Sequence, residues 1–176
     1  MSIRDRVGII VNPSAARDIR RLVAHASSVS ITDRCAMVKR MVVGMGTMGV
    51  DEVLMMFDRA GIAGGIAYEL EPIMKRSEPR LPVVRFLEMP VDGVPKDTLF
   101  AVRQMRELGV QAIVVLGGDG THRLVAHECG AIPLVCVSTG TNNAFPYHYE
   151  ATVVGLAAGA VASGAVSYTH LTLPTN

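Results

Sequence analysis

Nine consecutive residues limit this chain more than any others: Ile113-Val114-Val115-Leu116-Gly117-Gly118-Asp119-Gly120-Thr121. A short apolar, β-branched run that breaks into glycines around one carboxylate predicts a buried parallel strand delivering a loop to the C-terminal edge of a sheet. Open α/β sheets bind their ligands at that edge.

The loop has a chemical reading. Gly117, Gly118 and Gly120 permit positive φ and let amides approach phosphate oxygens, and Thr121 is placed to cap the helix that follows. Asp119 is then the one ionisable group at the centre, able to orient a hydroxyl, accept its proton or hold Mg²⁺ against a triphosphate. The plainer alternative is a strand-to-helix turn with an exposed Asp, but three glycines around one acid exceed what a turn needs.

The rest of the chain alternates strands and helices. Strands are expected at 7–11, 53–57, 83–89 and 133–138, the third at an edge or with one wet face because Arg85 and Glu88 interrupt it. Helices are expected at 18–24, from Asp33 through the spacing of Met37, Val38, Met41 and Val42, at 97–108, at 122–129 and at 150–163. Residues 60–76 read as a glycine-weakened helix or loop. Asp92 or Asp97 is placed to start the helix over 97–108, and Gly155 and Gly159 suit close packing against the sheet or a neighbouring chain.

Gly44-Met45-Gly46-Thr47-Met48-Gly49 matches G-x-G-x-x-G, for which a dinucleotide reading requires a preceding strand and an acid such as Glu69 about 20 residues on. The chain tests that reading itself. Met48-Gly49-Val50 before one apolar run repeats Leu108-Gly109-Val110 before another, so both glycines belong at helix C-termini with the strand after them. That order inverts the fingerprint.

A second polar loop, Thr139-Gly140-Thr141-Asn142-Asn143, follows the strand over 133–138. Its hydroxyls and amides can contact a nucleotide without carrying charge, or simply form turns. His122 and Arg123 are close enough in sequence to bind phosphate, Arg20 and Arg21 either meet phosphates or lie solvated, and His127 reads as a surface residue. There is no G-x-x-x-x-G-K-[ST] run, so a P-loop enzyme is excluded.

A chain of 176 residues, 49% hydrophobic and 19% charged, is long enough for one domain with a sizeable core. The net charge of +1 gives no reason to expect nucleic acid. Cys35, Cys129 and Cys136 show no metal-ligand spacing, which suggests buried thiols in a reducing cytoplasm. The polar N-terminus suggests no signal peptide, and no apolar run reaches membrane-spanning length.

Gly117 to Thr121 resembles the GGDGT signature of the superfamily that contains NAD kinases and the diacylglycerol and sphingosine kinases. Val11-Asn12-Pro13-Ser14-Ala15-Ala16 is similar to its strand-one Asn-Pro motif, and Thr139 to Asn143 to its Gly-Thr-x-Asn loop, in the family's order. With Asp18-Ile19-Arg20-Arg21, the wording is most similar to the ATP-NAD kinase-like group of the acetoin catabolism protein X type.

The resemblance implies a three-layer α/β domain with a mostly parallel sheet of about five strands, followed by a largely β domain that supplies much of the acceptor site. It implies ATP with Mg²⁺, a nucleotide site built from Asn12, Gly117, Gly118, Gly120, Thr121, Thr139, Gly140, Thr141, Asn142 and Asn143, and Asp119 as catalytic residue. No metal ligand is assigned directly beyond Asp119 acting through Mg²⁺. Asn12 could equally close an Asx turn. NAD is the first acceptor to try. A lipid or sphingoid kinase is the alternative, although Ala144 stands where the lipid-kinase pattern has Asp, and a nucleotide-sensing module without turnover is another. A homo-oligomer is compatible with all three.

Residues 166–175 change character abruptly, with no charge and no continuing period, and resemble the translation of a transposon end and adapter used to build sequencing libraries. A natural strand opening a next domain is the alternative. The adapter reading divides the chain into a nucleotide-binding domain over 1–165, truncated near Gly164, and a foreign tail over 166–176. Such a chain is expected to be a poor catalyst that exposes apolar surface meant for its missing half.

Overall fold

A computed structural model describes residues 5–13, 29–75, 80–140 and 143–166. Five strands, β1 (Arg6–Val11), β2 (Glu52–Met55), β3 (Val83–Phe86), β4 (Ala112–Gly117) and β5 (Leu134–Ser138), form one sheet in the order β3-β2-β1-β4-β5, and every pairing is parallel. Five helices connect and cover them: α1 (Ile31–Thr47), α2 (Ile62–Met74), α3 (Pro95–Glu107), α4 (Asp119–Glu128) and α5 (Ala151–Ala162). The expected three-layer, parallel α/β architecture is what the chain adopts. The helix expected over 18–24, with Arg20 and Arg21, lies outside the described residues.

Strand alternation sorts the core into two faces. Val7, Ile9, Val11, Val53, Met55, Val114 and Leu116 point into a layer with α1, α2 and α5. Ile10, Leu54, Ile113 and Val115 point the other way, onto Ala101, Val102 and Met105 of α3 and Val125 of α4. Both faces of β1 and β4 are therefore dry, as continuous apolar runs in a parallel sheet require.

Local signals set the helix ends. Ser30 caps α1 in a reciprocal box: its hydroxyl accepts from the Asp33 N–H at 3.0 Å and the Asp33 carboxylate accepts from the Ser30 N–H at 3.3 Å. At the far end Gly49 has φ +85°, and Gly109 after α3 has φ +73°, so the two glycines terminate helices as their matching contexts predict. The G-x-G-x-x-G match accordingly lies at the C-terminal end of α1, before β2, without the preceding strand that a dinucleotide-binding turn requires. Gly44 is there because α5 crosses it: a Cβ would stand 2.9 Å from the Thr152 carbonyl. Gly155 answers from α5, where a Cβ would overlap the Met41 carbonyl, and Gly159 faces Met48. The close packing of Gly155 and Gly159 thus occurs against helix α1 where the sheet was expected.

Other elements refine the sequence reading. Within residues 60–76, Ile62–Met74 form a helix, α2, with Pro72 in its last turn. Asp97 is in the first turn of α3 and reaches back to accept from the Asp92 and Gly93 N–H groups, while Val94 occupies the cap position. Strand β3 lies at one edge, as its charged residues suggest. The other edge belongs to β5, whose first three residues are partly exposed. At the N-terminal end of the sheet, buried Glu52 bridges Arg6 at 2.6 Å and Arg85. Burial raises the proton affinity of Glu52, but the two guanidinium groups outweigh it and hold the carboxyl below its usual range.

Candidate functional site

The strand order reverses at β1, which leaves a crevice where β1 and β4 end side by side. Ligands bind open α/β sheets outside such a switch point. Three sequence-distant segments meet there: Asn12 after β1, Gly118 to Thr121 after β4, and Thr139, Gly140 and Asn143 to Phe145 after β5.

Asn12 ties the first two together. Its backbone N–H donates to the Leu116 carbonyl at 3.2 Å, and its side-chain amide donates to the Thr121 hydroxyl at 2.7 Å. From α1, the buried Arg34 guanidinium donates to the Asn12 carbonyl at 3.1 Å. Asn12 is therefore a strut between loops, a role its position in the sequence alone does not reveal.

One of the two properties expected of the glycines is not used. Gly117, Gly118 and Gly120 are not among the positive-φ glycines of the described chain, so freedom of φ is not what the loop exploits. Close contact accounts for the first two. A Cβ on Gly117 would stand 2.7 Å from the Thr121 side chain, and one on Gly118 would stand 2.9 Å from the Asn143 carboxamide oxygen. Gly118, in extended conformation, is itself the N-cap of α4, and Thr121 is the third helical residue instead of the cap. The hydroxyl that would have capped the helix is turned to Asn12.

Asp119 opens α4, and its carboxylate accepts from two successive backbone amides: Ala144 N–H at 2.9 Å and Phe145 N–H at 3.1 Å. These bonds, with the Ala144 one largest, hold the carboxyl below its ordinary range. Asn143 completes the join by donating from its side chain to the Ser138 hydroxyl at 2.7 Å, and the Ser138 N–H donates to the Tyr147 carbonyl at 2.8 Å. Ser138, missed at the sequence level, is the hub of the third loop. Thr139 is fully buried, its N–H donates to the Gly117 carbonyl, and its hydroxyl has no hydrogen-bond partner among the described residues. Gly140 accepts from the Ser138 hydroxyl at 2.9 Å. Thr141 and Asn142 lie outside the described residues.

His122 is not a surface phosphate ligand. It is buried, with Nδ1 at 2.8 Å from the Gly118 carbonyl and Nε2 at 3.1 Å from the Val115 carbonyl, so the ring staples the glycine loop to β4. His127 is exposed beside Glu128, as read from its position. Beyond Asn12 a cleft of about 240 Å³ runs past the ends of β1, β2 and β3, walled by Met56, Phe57, Val91, Val94 and Leu124, with Arg59 at its lining. No sequence motif marks it.

Among the described residues no group of three or more His, Cys, Asp or Glu side chains could hold a metal by itself. Nucleotide-bound Mg²⁺ needs less, since it takes one or two carboxylates and draws its other ligands from phosphate and water. Asp119 fits that donor set. Cys35 and Cys129 are buried and Cys136 partly so, and burial raises the proton affinity of all three thiols. Among the described residues no helix is long and apolar enough to cross a membrane.

Comparison with known proteins agrees with this fold. Residues 7–164 match the ATP-NAD kinase N-terminal domain. A stretch of 162 residues, 91% of this chain, is 49% identical to acetoin catabolism protein X of Cupriavidus necator. The chain spans 44% of the length of that relative. No solved structure matches.

Proposed function

The chain belongs to the ATP-NAD kinase family, and on that premise we propose that it forms the nucleotide-binding half of a kinase that transfers the terminal phosphate of ATP to a hydroxyl. The convergence of Asn12, the Gly117 to Thr121 loop and Thr139, Gly140 and Asn143 of the loop after β5 on one sheet edge carries this reading. Phosphates meet the glycine loop and the N-terminus of α4, where backbone N–H groups and the helix dipole favour anions. The apolar cleft beside Asn12 offers room for the base.

In the transfer, the bond between the terminal phosphorus and its bridging oxygen breaks as the acceptor oxygen bonds to phosphorus; the electron pair stays on the oxygen of the departing ADP, and the hydroxyl proton passes to solvent. Asp119 is the carboxylate placed to orient that hydroxyl or to hold Mg²⁺. A carboxylate oxygen is a hard ligand of the kind nucleotide-bound Mg²⁺ takes, which favours the second role. Mg²⁺, when bound, neutralises charge on the phosphates. Asn12 and Thr121 keep the cradle in register, and His122 fixes its floor.

NAD is the acceptor to test first. We expect the residues that read the acceptor in the part of the longer relative that this stretch does not span, and we read the tail over 166–176 as adapter-derived. The test is phosphate transfer by the full-length protein, wild type against Asp119→Asn. A fall of at least roughly a hundredfold is expected, and undiminished activity overturns the role of Asp119. A sensor that binds without turnover is the second reading, because both Asp119 oxygens are held by amides. ATP binding with no product from NAD, lipid or sphingoid acceptors would select it.

A further inference from the structure

We propose that the two successive backbone N–H groups of Ala144 and Phe145 are a phosphate-oxygen site, which Asp119 fills as a resident anion in the ligand-free chain. The proposal rests on the phosphate-binding reading of this edge and specifies where a phosphate oxygen goes.

Consecutive amides that converge on one anionic group form a concavity of the kind that binds anions. Here the two amides meet the two oxygens of one carboxylate, at 2.9 and 3.1 Å. The concavity is held from both sides without help from Asp119. Asn143, immediately before it, is fixed by its bond to the Ser138 hydroxyl, and Tyr147, just after it, accepts from the Ser138 N–H. The amides therefore stay in place when the carboxylate leaves. A second polar group of the same loop lacks a partner: the Thr139 hydroxyl, at the start of the loop, is fully buried and unbonded among the described residues.

A phosphate entering beside Gly118 and Gly120 meets the Asp119 carboxylate as a like charge and competes for the same donors. The two anions cannot both be satisfied by two N–H groups, so ligand binding turns the carboxylate off the amides. Asp119 is thereby released toward the cation or hydroxyl it serves, and the empty site is never left as two bare donors.

Inorganic pyrophosphate, titrated without divalent cation into the ¹⁵N-labelled chain, tests this. In the wild type the Ala144 and Phe145 amide resonances are expected to move on titration. Removing the resident anion in Asp119→Ala should tighten pyrophosphate binding by roughly three- to tenfold, with Asp119→Asn between the two. Unchanged or weaker binding in both variants, or wild-type shifts that spare these two amides, overturns the proposal. If the Ala variant does not fold, the Asn variant and the wild-type shifts decide. Phosphate transfer is measured separately: transfer without the affinity gain defeats this site alone, and the gain without transfer defeats the kinase reading alone.

Discussion

The side-chain amide of Asn12 and the hydroxyl of Thr121, 109 residues apart in the chain, lie 2.7 Å apart across the ends of β1 and β4. Removing the donor in Asn12→Ala should destabilise the fold by about 1 kcal/mol and weaken ATP binding. Asn12→Asp keeps a bond, because the Thr121 hydroxyl can donate to the new carboxylate, but it adds an anion beside the phosphates. We expect Asn12→Asp to be the more stable of the two and the poorer binder, by roughly tenfold or more. Thermal unfolding with ATP titration checks both halves, and equal affinities would remove Asn12 from the cradle.

Two glycine substitutions should separate backbone strain from steric overlap. Gly109 has φ +73° and open space around its missing Cβ, so Gly109→Ala should cost about 1–2 kcal/mol. Gly155 lies against the Met41 backbone on α1, and backbone cannot move aside as a flexible side chain can. Gly155→Ala should therefore cost more, at least about 2–3 kcal/mol. Urea unfolding of the pair gives the order directly, and a reversed order would mean that α1 and α5 separate easily.

Within the glycine loop the same logic predicts opposite signs. Gly120 is in the first turn of α4 with nothing near its missing Cβ, so Gly120→Ala should stabilise the fold by roughly 0.5–1 kcal/mol. Gly118→Ala pushes on the Asn143 carboxamide and should destabilise it, with Asn143 losing its bond to Ser138. Melting temperatures of the two variants, shifted to opposite sides of wild type, are the expected result.

Glu128 gives a dependence on pH. The Arg103 guanidinium donates to both its oxygens, at 2.7 and 2.8 Å, and holds its pKa at about 2, below the ordinary 4.5. A carboxyl depressed in the folded state stabilises the fold fully above its unfolded value, and that contribution is lost as pH falls through the folded one. The stability difference between wild type and Glu128→Gln should thus be constant above about pH 4.5 and shrink toward pH 2. Denaturant unfolding across that window, with the carboxyl followed by NMR, checks the sign. A difference that grows on acidification would break the assignment.

Much of the architecture is legible because glycine and proline punctuate it. Gly49 and Gly109 end helices before two apolar runs, Asn12-Pro13 ends a third, and these marks are local, so no tertiary knowledge is needed to read them. The convergence of three motifs is legible for a similar reason: each follows a strand, and parallel strands bring such loops to one edge. What those residues touch is not legible. Asp119 meets the amides of Ala144 and Phe145, His122 turns inward to two carbonyls, and Gly117 and Gly118 avoid side chains that arrive from elsewhere in the chain. Each depends on the path of a distant segment. The glycines of α1 divide in the same way: the order of elements around them rules out a phosphate turn from the sequence, whereas the crossing of α5 over Gly44 depends on a distant helix.

The place of β1 in the middle of the sheet has a consequence for how the protein is made. Its partners are β2, which follows closely, and β4, whose pairing residues lie about 105 positions later. At roughly 5–20 residues per second, a nascent chain carries β1 with one flank unpaired and both faces apolar for about 5–20 seconds before β4 emerges. In that interval the strand is exposed to every other unfinished chain on the same messenger, so slowing synthesis before residue 112 should raise the demand for chaperones, whereas slowing it after residue 117 should not.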